Sequence, residues 1–275
     1  MTNDLLIEAH LKRLRLPAIG RVYRQLAREA ETSNQTYEHY LLALLDQEIQ
    51  QREENVQRSR VRSARFPVVK TLDQFDFSLL PDLNSPRILQ LAAGEYLTRH
   101  ENVIFIGPNG TGKTHLAIGL ALCACRQGKR VRFVTAPSLV NELLEARKDY
   151  RLSRIEAYYQ KLDLLVIDEL GFVPFAREAA ELLFGVCAGR YERHSTLITS
   201  NLEFSRWTEV LGEASLAGAL VDRLTHHAHI VHIVGDSFRF RHSLSRAAGE
   251  TGDGNAATGR RRKLPDPTMD KEVDF

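Results

Sequence analysis

The sequence predicts an α/β fold with a five-stranded parallel sheet, preceded by a small all-helical segment. Three observations predict it. From Glu101 onward, short apolar runs alternate with stretches of helical period, the pattern of strands joined by helical crossovers. The first of these runs, Val103-Ile104-Phe105-Ile106, leads straight into Gly107-Pro108-Asn109-Gly110-Thr111-Gly112-Lys113-Thr114, which fits G-x-x-x-x-G-K-[ST] without a mismatch. Residues 3 to 64 carry apolar side chains at helical spacing and are strand-poor.

Taken in order, Leu5, Leu6, Ala9 and His10 begin an amphipathic helix that Pro17 and Gly20 interrupt. Ile19, Val22, Tyr23, Leu26, Ala27 and Ala30 form the next apolar stripe, and Thr32-Ser33-Asn34-Gln35 is a turn. A longer helix follows, with Tyr37, Tyr40, Leu41, Leu44, Leu45, Glu48 and Ile49 on or near one face. Its end is basic: Arg58, Arg60, Arg62 and Arg65. A spacing of two spreads these around the helix. They read either as a solvated helix end, where cations are favoured, or as a patch for phosphates. Residues 1–66 are therefore one helical domain. Residues 67–100 are a linker and a lead-in helix, with Ser85 as N-cap and Pro86 at the first helical position.

Residues 101–245 form the second domain. Its strands are 103–106, Val131-Arg132-Phe133-Val134, Leu164-Leu165-Val166-Ile167, Leu197-Ile198-Thr199 and Ile230-Val231-His232-Ile233. The third run is apolar throughout, as a strand buried on both faces requires. Helices fall between them at His115 to Arg126, with a stop near Gly128, and at roughly 137–148, 153–161 and 176–193. From 246 to 275 the composition turns to Gly, Ala, Thr, Asp and Pro, expected to be disordered apart from a basic run, Arg260 to Lys263.

The glycine loop carries the chemistry. Glycines let backbone N–H groups turn inward around phosphate oxygens, and the following helix N-terminus adds partial positive charge. Lys113 can reach β- and γ-phosphates, and the Thr114 hydroxyl can hold Mg²⁺. Asp168-Glu169 closes the third strand, where such a fold needs a metal partner. Asp168 is expected to hold Mg²⁺ through water, and Glu169 to orient or deprotonate the attacking water. Ser200-Asn201 closes the fourth strand and reads as a polar end between strands one and three, near the γ-phosphate, or as an ordinary Asx-turn. Arg223, in Leu220-Val221-Asp222-Arg223-Leu224, reads as a surface ion pair or as an arginine finger directed at a neighbouring subunit.

Composition narrows the rest. The chain has 275 residues, 43% hydrophobic and 26% charged, with net charge +2, so any argument for nucleic acid rests on local clusters. Cys123, Cys125 and Cys187 make no C-x-x-C pair and are expected as small buried thiols in a reducing cytoplasm. No run approaches the ~18 apolar residues of a membrane span, and no signal-peptide core follows the charged N-terminus. His226, His227, His229 and His232 lack HExxH spacing and an accompanying Cys or Glu, so no metal site is expected there. On a strand, His227 and His229 would share one face and His226 and His232 the other.

GPNGTGKTHLA (107 to 117), LLVIDELGFVP (164 to 174), RYERHSTLITSNLEFSRWTEVLG (190 to 212) and LVDRLTHHAHIVHIVGDSFRFR (220 to 241) closely resemble the IstB-like transposition helper ATPases of bacterial insertion sequences. That family belongs to the AAA+ class and is related to the DnaC helicase loader. The likeness covers about residues 1 to 245. It implies an AAA+ P-loop NTPase domain behind a helical N-terminal domain that contacts DNA or a partner. Asn201 matches the sensor-one position, and Arg223 the finger that acts in trans. The ligands implied are ATP and Mg²⁺, and the location cytoplasmic. ATP-bound copies of the chain would oligomerise on double-stranded DNA, bend it, and recruit and stimulate the cognate transposase; hydrolysis would release or reset the complex. A replicative helicase loader is the alternative. Too few residues follow strand four for a full helical lid together with strand five. A sensor-two arginine is therefore unassigned, with Arg239 and Arg241 as candidates.

Overall fold

A computed structural model describes residues 2–235. Three helices come first: α1 (Thr2–Arg13), α2 (Pro17–Thr32) and α3 (Tyr37–Ala64). Then follow α4 (Ser85–Ala92), α5 (Glu95–Thr98), β1 (Asn102–Ile106), α6 (Lys113–Arg126), β2 (Val131–Thr135), α7 (Ala136–Lys148) and α8 (Leu152–Gln160). The remainder is β3 (Leu164–Leu170), α9 (Arg177–Arg190), β4 (Ser195–Ser200), α10 (Thr208–Leu211), α11 (Ala214–Thr225) and β5 (Ala228–His232). Arg239, Arg241 and the segment 246–275 lie outside the described residues.

The break near Pro17 is confirmed, but Gly20 does not interrupt anything; it lies inside α2. Proline starts this helix, because its missing N–H falls where no intrahelical partner exists. The stripe through Ile19 and Tyr23 then carries the helix past the glycine. The N-cap position of α2 is Leu16, which has no side chain to cap with. Glu48, on α3, supplies the missing acceptor: its Oε2 accepts from Ala18 N–H at 2.9 Å and Ile19 N–H at 3.4 Å, while Arg52 Nε donates to Oε1 at 2.9 Å. Burial pushes the Glu48 carboxyl up, but these hydrogen bonds outweigh it and hold the group below its ordinary value.

Asn84, not Ser85, caps α4: its Oδ1 accepts from Arg87 N–H at 3.0 Å. Asparagine is at least as good an acceptor there as serine, and Ser85 Oγ turns to Leu83 O at 3.4 Å.

The five strands form one parallel sheet in the order β2-β3-β4-β1-β5. The alternation along β1 sorts its side chains into two layers. Ile104 and Ile106 pack with α7, α9 and α11; Val103 and Phe105 pack with α4 and α6. The stretch 67–83, read from sequence as linker, joins the second layer through Leu72, Leu80 and Leu83. The end of α3 joins it as well: Ala64 is fully buried there, and the Phe66 ring meets Phe133 edge-on at 6.2 Å. Cys125 and Cys187 are buried, which pushes their thiols up to about 11 and about 12. Among the described residues, no helix is long and apolar enough to cross a membrane.

Candidate functional site

β4 lies between β3 and β1, so the carboxyl ends of all three strands open on one edge of the sheet. The glycine loop leaves β1 at that edge and runs into α6. Two of its glycines are required by space. A Cβ on Gly107 would stand 2.2 Å from the Ile233 carbonyl oxygen. Gly112 adopts φ +91°, and a Cβ there would stand 2.7 Å from the Phe75 ring.

A cleft of about 410 Å³ lies over this loop. Asn109, Gly110, Thr111, Gly112, Lys113 and Thr114 line one side, and Glu169, Phe172, Thr199, Ser200 and Asn201 another. The remaining wall comes from the stretch that the sequence reads as linker: Lys70, Gln74, Phe75, Asp76, Leu79 and Leu80. His115 ties that wall to α6, with Nε2 2.8 Å from Thr71 O and its ring edge-on to Phe75. The wall went unrecognised because its residues carry neither a phosphate motif nor a regular period.

Lys113 Nζ donates to the loop's own carbonyls, Gly107 O at 2.7 Å and Pro108 O at 2.6 Å. Thr114 Oγ1 is within hydrogen-bond distance of both Asp168 oxygens, at 3.0 and 3.1 Å. The Thr199 hydroxyl donates to Asp168 Oδ1 at 2.5 Å and accepts from the Glu169 N–H at 3.0 Å. Burial pushes the Asp168 carboxyl above its ordinary value, against the opposing hydrogen bonds of Thr199 and Thr114 and the charge of Lys113. A hydroxyl and a carboxylate at this spacing form a hard oxygen donor set of the kind that suits Mg²⁺. Glu169 is exposed to the cleft and adopts φ +61°. Asn201 Oδ1 is buried without a hydrogen-bond partner, an acceptor left for a ligand or a water in the cleft. These features fit a nucleotide triphosphate with its metal.

Sequence reasoning missed Thr199. Threonine is a common strand residue, and only its burial in a strand flanked by apolar neighbours marks its hydroxyl as needing partners.

Arg223 does not line the cleft of its own chain. It projects from α11, with Nη1 donating to Ala219 O at 3.0 Å and the guanidinium 4.9 Å from the centre of the Phe184 ring. No ion pair holds it among the described residues, so the ion-pair reading is replaced by a cation–π one.

Of the four basic residues at the end of α3, Arg58 pairs with Glu54 at 3.2 Å and Arg60 lies against Gly128. Arg62 is exposed, and Arg65 sits just past the helix in a left-handed conformation.

The histidines do not all share a strand. His226 and His227 follow α11, because β5 begins at Ala228, the residue that pairs with Asn102. The fold also brings Glu192 to them, within 3.7 Å of His226 Nδ1 and 3.9 Å of His227 Nε2. Thus the fold supplies the carboxylate that the local sequence lacks. All three side chains are exposed, and the Tyr191 hydroxyl already meets His226 Nδ1 at 2.9 Å.

Comparison with known proteins places this geometry. The family described as IstB-like ATP binding protein matches residues 9–246. The protein of insertion sequence IS5376 from Geobacillus stearothermophilus, named for ATP binding, is 36% identical over 86% of this chain and 94% of its own length. The corresponding protein of insertion sequence IS21 from Pseudomonas aeruginosa is 37% identical over 86% and 89%. Among solved structures, AMPPCP-bound DnaA from Aquifex aeolicus superposes with a TM-score of 0.50 at 21% identity, covering 68% of this chain and 56% of that one. That likeness extends to the fold alone. The parallel sheet with its loop at β1 and the match over nearly the whole described chain lead to one conclusion: the chain belongs to the IstB-like ATP-binding proteins of insertion sequences.

Proposed function

We propose that this protein is an ATP-hydrolysing regulator of transposition that assembles on duplex DNA, remodels it, and recruits and stimulates the transposase of its own insertion sequence. The observation that carries the reading is that Lys113, Thr114 and Glu169 line one cleft, with the buried Asp168 carboxylate within hydrogen-bond distance of Thr114. The insertion-sequence names of its relatives supply the context.

The loop N–H groups and Lys113 bind and orient the triphosphate. Thr114 and Asp168 would hold Mg²⁺, which would supply positive charge against that of the phosphates. Glu169 takes the proton of the attacking water, and Asn201 holds that water or the γ-phosphate in place. Arg223 completes the site of a neighbouring copy, in keeping with its position outside its own cleft. Hydrolysis resets the assembly, and the work is cytoplasmic, where the element's DNA is.

Negative-stain electron microscopy of the protein with ATP and plain duplex DNA tests the reading. Regular assemblies are expected with wild type and ATP, and none with Lys113→Ala. Assemblies that form equally without ATP would overturn the ATP-driven part.

A further inference from the structure

Strand alternation, followed strictly, sends Glu169 away from the cleft. Along β3, Leu164 and Val166 face the α6 layer, and Leu165 and Ile167 face the opposite one. Asp168 returns to the α6 side, where it meets Thr114. Residue 169 should then join the core on the far face. It does not. The pairing of β3 with β4 slips between Ile167 and Leu170, and Leu170 takes the place on the far face. Glu169 adopts φ +61° and lines the cleft. For a residue with a Cβ that backbone is strained and persists only where the surroundings hold it.

Two hydrogen bonds meet the Glu169 backbone: Phe172 N–H donates to its carbonyl at 3.3 Å, and one side chain, Thr199, takes its N–H. Thr199 Oγ1 accepts from the Glu169 N–H at 3.0 Å and donates to Asp168 Oδ1 at 2.5 Å. The residue is 1% exposed, so both bonds are sheltered from water. We propose that Thr199 is a positioning residue for hydrolysis: its hydroxyl clamps the slipped backbone at Asp168-Glu169 and so turns the Glu169 carboxylate toward the cleft. This inference rests on the reading of the cleft as an ATP-hydrolysing site. The clamp itself, however, is a property of the nucleotide-free chain and can be measured without turnover.

Valine matches threonine in shape and lacks the hydroxyl; serine keeps the hydroxyl. Amide hydrogen exchange at Glu169 in the nucleotide-free protein is expected to be slow in wild type and Thr199→Ser, and at least about 10-fold faster in Thr199→Val. With ATP, Mg²⁺ and duplex DNA, Thr199→Val should lower kcat at least about 10-fold while KM for ATP stays within about 3-fold, and Thr199→Ser should recover most of the loss. Thr199→Ala replaces the valine variant should that one not fold. Equal exchange in wild type and Thr199→Val overturns the clamp, whatever the turnover. Faster exchange with unchanged kcat reduces Thr199 to a structural residue and overturns the positioning role. A wild type without turnover sensitive to Lys113→Ala is a failure of the ATPase reading, recognised before any Thr199 variant is compared, and the proposal falls with it.

Discussion

The Thr114 hydroxyl and the Asp168 carboxylate, 54 positions apart in sequence, lie 3.0 and 3.1 Å from one another in the fold. One opens α6 and the other stands near the end of β3, so the two halves of the cleft are assembled by the crossovers between strands. A buried carboxylate beside a hydroxyl and an ammonium group costs stability unless a ligand uses it. The arrangement therefore predicts a division of labour that separate substitutions can expose.

Lys113→Ala should weaken ATP binding at least about 10-fold, because the phosphates lose their nearest point charge. Glu169→Gln should leave ATP affinity within about 3-fold and lower kcat on the order of 10²-fold, since the proton acceptor is lost while the phosphate contacts remain. Fluorescent-nucleotide titration and phosphate release measure the two effects independently. A Gln variant with wild-type turnover would remove Glu169 from its assigned role.

Glu48 makes a prediction about pH. Its folded pKa is depressed, so its contribution to stability is present above the unfolded value of about 4.3 and is lost as pH falls through the folded one. Glu48→Gln should cost about 2 kcal/mol at neutral pH, the scale for a buried, charge-assisted cap. That gap should close as pH falls below the unfolded value and through the depressed folded one. Urea midpoints of the two proteins across pH 3 to 7 measure it. A gap that does not change with pH would mean the Ala18 and Ile19 bonds do not depend on the charge.

The end of α3 makes a prediction about DNA. If Arg58, Arg60, Arg62 and Arg65 meet phosphates, affinity for duplex DNA should fall with salt by about 0.9 in log K for each phosphate neutralised. Replacing all four by alanine should flatten that slope. Because Arg58 is paired with Glu54 and Arg60 lies against Gly128, Arg62 and Arg65 should account for most of the change. Anisotropy titrations at several salt concentrations give the slopes. An unchanged slope would make the cluster a solvated helix end.

Much of this was legible in the chain itself. The five strands contain short apolar runs, and their alternation with stretches of helical period locates them. The loop from Gly107 to Thr114 has a signature because its chemistry requires fixed residue types at fixed spacing. What escaped was set by tertiary structure. The cap on α2 comes from Glu48, 30 positions from Ala18, and no local pattern announces it. The outward turn of Glu169 depends on a slipped register with β4, whereas strand alternation predicts the opposite face. The wall of the cleft between Lys70 and Leu80 looks like linker because its order comes from packing on α6. Glu192 reaches His226 and His227 only through the fold.

Arg223 decides whether the site is shared between copies, which is the central claim. A finger acting in trans is worth ~10³ to 10⁵ in rate in other systems. Arg223→Ala alone should therefore bind ATP nearly normally and hydrolyse it slowly. The direct measurement is ATP turnover on duplex DNA in mixtures of Arg223→Ala, which keeps the ATP site, with an excess of Lys113→Ala, which forms no assembly alone but keeps the finger and is required here only to join ATP-bound copies. Activity that neither variant has alone is the predicted result. Turnover no greater than the sum of the two, with mixed assemblies verified by crosslinking, would contradict a site built from two copies of the chain.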